Sequence, residues 1–154
     1  MLQRIGLSAL LFMGAAAHAQ TGVDAPWVRA TVAQQTSTGA FMRIRSVEGA
    51  RLVEVRSPAA KSVEMHTMAM QGDVMRMRQI DGLVLPAGGA VDLAPGGHHL
   101  MLVGLVRPLK EGDTVPFTLV VEGLDRKREN VEVTATVRAL NSGAGEAAGH
   151  VHKH

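Results

Sequence analysis

Methionine and histidine are the residues of this chain whose types and spacing could do chemistry. Met65, Met68, Met70, Met75 and Met77 fall within thirteen residues, with His66 among them, and His98-His99 stands just before Met101. Thioether sulfur is a soft, uncharged ligand, and imidazole nitrogen is borderline. Together they favour Cu(I) over harder ions such as Zn(II), Mg(II) or Ca(II). Neutral ligands leave the single charge of Cu(I) uncompensated, which suits a site close to solvent. Methionine needs no deprotonation, so only the histidines would make binding weaken in acid.

The local pattern suggests how such ligands are positioned. Gln71-Gly72 reads as a two-residue hairpin loop, a place where Gly readily supplies a positive φ. That loop would pair Met70 with Asp73, Met68 with Met75, and His66 with Met77 on one face. His99 and Met101 are two apart on a strand and share a face as well. Should their strand approach the hairpin, His66, Met77, His99 and Met101 converge as two nitrogens and two sulfurs. Met68 and Met75 share the hairpin face and are expected around the site. A regular strand would turn His98 away from His99, so His98 ranks below it. Met42 and Met65 are expected in the core, where Met fills gaps.

These residues must be held by β-structure. Segments 25–32, 39–46, 51–56, 62–70, 74–80, 82–85, 98–104, 115–122 and 130–137 are short, rich in Val, Thr, Leu and Ile, and several alternate in polarity. Turn signals separate them, among them Glu48-Gly49, Asp81-Gly82, Ala87-Gly88-Gly89, Pro95-Gly96-Gly97 and Glu111-Gly112-Asp113. No helical period persists for three turns. The expected fold is all-β, a Greek-key β-sandwich or barrel.

The ends differ from this body. Arg4, the apolar run 5–17 and Ala17-His18-Ala19 match a signal peptide cut after Ala19. Residues 1–19 would then direct export, and residues 20–140 would form the domain. No other segment is long and apolar enough to span a bilayer. Cleavage removes Arg4, so 16 basic residues become 15 against 14 acidic ones, and the net charge falls from +2 to +1. No basic stripe for nucleic acid or for a membrane surface stands out. Residues 141–149 are mainly Gly and Ala with Ser and Glu, leaving little to bury, and residues 141–154 read as a flexible tail. The tail carries His150, His152 and His154, a candidate secondary Cu(II) site, since clustered imidazoles bind Cu(II) well.

The chain has no Cys. That excludes disulfides, thiol catalysis, Fe–S clusters, Cys-type zinc sites and thiolate blue-copper sites. No nucleophile elbow, phosphate-binding Gly loop or HExxH is present, and no enzyme is expected.

His66, ten residues, Met77, twenty-one residues and His99-Leu100-Met101 together reproduce the motif of the periplasmic copper chaperones called PCuAC. The flanking blocks Trp27-Val28-Arg29-Ala30, Thr38-Gly39-Ala40-Phe41-Met42, Val74-Met75-Arg76-Met77-Arg78 and Leu109-Lys110-Glu111-Gly112-Asp113 are also similar to the family, over roughly residues 25–137. The resemblance implies a cupredoxin-like fold without the thiolate. It implies Cu(I) on His66, Met77, His99 and Met101. It further implies delivery in the periplasm toward the CuA centre of cytochrome c oxidase, alongside Sco-type proteins. His98 stands where many relatives carry an aromatic residue. The expected molecule is a monomeric copper carrier. Sequestration for copper tolerance, with the same ligands and no dedicated recipient, is the alternative.

Overall fold

The computed structural model describes residues 20–141, which hold ten strands and no helix. They are β1 (Thr21–Arg29), β2 (Ser37–Ser46), β3 (Ala50–Arg56), β4 (Ala60–Gln71), β5 (Val74–Ile80), β6 (Leu83–Leu85), β7 (Gly89–Leu93), β8 (His99–Leu105), β9 (Thr114–Gly123) and β10 (Arg128–Arg138). Hydrogen bonding runs in the order β4-β8-β2-β1-β10-β9-β3, and a β3–β4 pairing closes those strands into a barrel. β5, β6 and β7 are added on β4, β3 and β2. β1 pairs β10 in parallel, while the other named pairs are antiparallel.

Alternation along each strand sorts side chains between the interior and the outer surface. Ala40, Met42 and Ile44 of β2, Leu100 and Leu102 of β8, Met65 of β4 and Phe117 and Leu119 of β9 fill the interior. Met42 and Met65 are therefore core residues, as their apolar neighbours imply. The alternate positions Phe41, His99, Met101, Glu64, His66 and Met68 belong to the outer face. Without disulfides, burial of this aliphatic core must hold the barrel.

β7 is the strand that the sequence does not announce. Its five residues follow Ala87-Gly88-Gly89 and precede Pro95-Gly96-Gly97, so the turn signals obscure it. β7 gains its place by pairing β2, Met42 with Leu93 and Ile44 with Val91. The expectations about residues 1–19 and about His150, His152 and His154 lie outside the described residues.

Candidate metal centre

The hairpin register differs from the expected one. The turn is Gly72-Asp73, with φ of 63° at Gly72, and Gln71 pairs Val74. Met70 therefore opposes Met75, Met68 opposes Met77, and His66 opposes Gln79. The slip is two residues, and because side chains alternate with a period of two, every residue keeps its face. Gly occupies the first of the two loop positions, where its positive φ satisfies the turn, rather than the second.

The imidazole opposite His66 is that of His99. β4 and β8 pair in the register Met65 with Leu100, His66 with His99, and Glu64 with Met101. The two rings lie 5.6 Å apart between centroids, at 43°. With metal–nitrogen bonds of about 2 Å and a centroid about 1 Å beyond each nitrogen, two imidazoles on one ion lie at most ~6 Å apart. The observed separation fits a shared ion.

Each ring also keeps a nitrogen for a ligand. His99 Nδ1 is 3.0 Å from the Gly97 carbonyl oxygen and must donate to it, which leaves Nε2 with its lone pair. His66 Nε2 is 2.7 Å from Glu64 Oε2. Donation there leaves His66 Nδ1 as the acceptor, and that atom is buried with no hydrogen-bond partner. Buried polar atoms are rarely left unpaired, so this lone pair calls for a ligand. An imidazole backed by a carboxylate or a carbonyl is the usual arrangement behind a metal-bound histidine.

The thioethers flank the imidazole pair. Met101 is two residues from His99 on the same face. Met77 is diagonal to His66, two residues along β5 from its partner Gln79. Met68 is two residues from His66 on its own strand and directly opposes Met77. The site is asymmetric in exposure: His99 is 7% exposed and Met77 48%. The nitrogen ligands thus form a floor, Met101 is half-buried beside it, and Met77 is the open rim. Met75 lies further out, opposite Met70. His98 accepts a hydrogen bond from Ala94 N at 2.9 Å through its carbonyl and stands before β8. Strand alternation does not set its direction, and its own Nδ1 is buried without a partner.

A row of rings fixes the floor. Trp27, Phe41, His99 and His66 lie on β1, β2, β8 and β4, which are successive neighbours. Trp27 pairs with Phe41 and their rings are 4.5 Å apart; Phe41 and His99 are 6.3 Å apart. Phe41 faces outward yet is only 4% exposed, and neither it nor Trp27 belongs to the interior cluster. The Arg29 and Arg138 guanidinium groups lie over Phe41 and Trp27, at 5.4 and 5.2 Å. Gly39 makes room for this row: a Cβ there would meet the Phe41 ring at 2.8 Å.

Glu64, Gly97 and Phe41 were not singled out from sequence. Glu64 had a signal, since i and i+2 on a strand share a face. The Gly97 carbonyl had none.

Residues 21–137 match the family model described as "Putative lipoprotein LpqE-like". The chain is 33% identical over 98 residues to "Putative lipoprotein Lxx21020" of Leifsonia xyli subsp. xyli (strain CTCB07), an alignment covering 63% of this chain and 59% of that protein. It therefore spans less than two thirds of that relative. The copper-bound PCuAC domain from PmoF2 is similar in structure, with a TM-score of 0.66 at 29% identity over 82% of this chain and 99% of that domain. The solution structure of CuI-DR1885 from Deinococcus radiodurans gives a TM-score of 0.59 at 31% identity, covering 87% of this chain and 86% of that one. The chain belongs to the LpqE-like family, and its barrel is the fold of PCuAC domains.

Proposed function

We propose that this protein is an exported copper carrier that binds Cu(I) through His66, His99, Met101 and Met77 and passes it to an acceptor. The observation that carries the reading is the His66–His99 pair. Two imidazoles face each other across adjacent strands, each with one nitrogen held by the protein and the other free. The copper-bound PmoF2 domain and CuI-DR1885, to which the chain is similar, support the choice of ion. Thioethers on the rim support the monovalent state.

Copper is cargo here, so release matters as much as binding. The half-exposed Met77 is the ligand that an incoming acceptor displaces first, while the buried His99 leaves last. The family resemblance makes a Sco-type protein or the CuA subunit of cytochrome c oxidase the acceptor, in the periplasm. X-ray absorption of protein loaded with one equivalent of Cu(I), with Met70 and Met75 replaced by Leu, tests the ligand set: two nitrogen and two sulfur neighbours are expected. A shell without nitrogen, or without sulfur, would overturn it. Deleting the gene in cells grown at low copper tests delivery, with loss of oxidase assembly as the expected result. Copper sensitivity with intact oxidase would replace delivery by sequestration.

A further inference from the structure

The outer half of the β4–β5 hairpin holds more thioether than one copper ion needs. β8 pairs β4 from Ala60 to His66, and beyond that point β4 pairs only β5. Residues 67–78 therefore project from the barrel as a two-stranded ribbon. One face of it is the three strand pairs Thr67–Arg78, Ala69–Arg76 and Gln71–Val74, mostly polar or small residues with Val74 the apolar exception. The other face, outward from His66, is Met68, Met70, Met75 and Met77, which is every position on that side up to the turn.

The core role of Met does not account for them. None belongs to the interior cluster, and Met70 and Met75 are 63% and 48% exposed. A patch selected for apolar contact alone could mix Leu, Ile, Phe and Met. Here the common property of all four is the thioether lone pair. Directly opposed residues have Cβ atoms about 4.5–5.5 Å apart, and in-strand i, i+2 neighbours lie ~7 Å apart. The three rotatable bonds of Met let sulfurs on such a grid meet at one ion.

We propose that Met68, Met70 and Met75 form a second Cu(I) site at the tip of the hairpin, distinct from the histidine site and joined to it through Met77. The three sulfurs supply a neutral trigonal shell for a soft monovalent ion. Met68 opposes Met77, so an ion held at the tip is one ligand exchange from the thioether that also serves the histidines. Copper would step along the ribbon from Met70 and Met75, past Met68 and Met77, to His66, with no change in oxidation state. The tip site shares with the preceding reading only the premise that this face takes monovalent copper, whereas the path from it to His66 rests on that reading.

The test uses protein labelled at the methionine methyl carbons and titrated anaerobically with Cu(I). Met101 reports the histidine site, and Met70 and Met75 report the tip. The Met70 and Met75 methyl resonances are expected to shift in a step separate from Met101, and total binding to exceed one equivalent. The Met70→Leu/Met75→Leu double variant should lose one equivalent and keep the Met101 shift; both positions are exposed, so the barrel is not disturbed. Immobile Met70 and Met75 resonances while Met101 shifts would overturn the tip site alone. Shifts at the tip with an unmoved Met101 would uphold the tip site and overturn the histidine site, and with it the path between them.

Discussion

Removing the Glu64 carboxylate should weaken Cu(I) binding without unfolding the barrel. Its Oε2 lies 2.7 Å from His66 Nε2, and accepting that N–H obliges Nδ1 to present its lone pair to the metal. Carboxylates behind metal-bound histidines contribute about 10–100-fold in affinity, or ~1.4–2.7 kcal/mol. The Glu64 side chain is 33% exposed, so water can replace part of the interaction in Glu64→Ala. The expected loss is at the lower end, about tenfold. Glu64→Gln keeps an acceptor oxygen but not the charge, and should fall between wild type and Ala. The charge also offsets the uncompensated +1 of Cu(I) in a neutral ligand set. Competition titration with a Cu(I) chelator measures the three proteins, and thermal unfolding of the apo forms checks that stability is retained. An unchanged affinity in Glu64→Ala, with an intact fold, would refute the argument that this carboxylate orients His66.

Other substitutions separate site from scaffold. His99→Ala should abolish tight Cu(I) binding, whereas Met65→Ala, in the core at 9% exposure, should cost on the order of 2–5 kcal/mol in denaturant unfolding and leave the affinity of the folded protein close to wild type. Equal affinity losses would contradict the division of the strand into two faces. Met77→Leu and Met68→Leu, compared by X-ray absorption, decide which thioether faces His66: the substitution of the true ligand lowers the sulfur count, and an unchanged count in both would remove the hairpin from the shell. Gly39→Ala drives a methyl into the Phe41 ring, which stands in the row between Trp27 and His99. It should destabilise by about 1–3 kcal/mol and weaken Cu(I) binding together, read by unfolding and chelator competition. Normal values for both would mean that the ring row does not hold the histidine.

Much of this arrangement is legible in the chain because strand alternation is insensitive to the errors that sequence reading makes. The hairpin loop was expected at Gln71-Gly72 and forms at Gly72-Asp73, yet the two-residue slip leaves His66, Met68, Met75 and Met77 on their face. What the slip changed was the partner: Gln79, not Met77, opposes His66. The cross-strand meeting of His66 with His99 depends on a β4–β8 pairing across thirty-three residues of chain, which no local turn specifies. β7 escaped notice for a related reason, since its pairing with β2 overrides two flanking Gly turns. The ring row was hidden because an outward-facing Phe41 reads as core until Trp27 is placed beside it.

The features of the site divide along a line that follows from how a carrier must work. The ligands that are buried are also the ligands whose orientation is fixed: His99 by the Gly97 carbonyl and the Phe41 ring, His66 by Glu64. Rigid, desolvated imidazoles bring the affinity of preorganisation. The exposed ligand is the flexible thioether of Met77, on a ribbon that only one other strand supports, while Met101 is half-buried on β8. A fully rigid four-ligand cage would hold copper well and release it slowly, because every ligand would have to leave before an acceptor could approach. A fully flexible one would bind poorly. With the two imidazoles and Met101 anchored to a closed barrel and Met77 on a projecting hairpin, an acceptor thioether or thiolate can replace one ligand at a time while the ion stays coordinated.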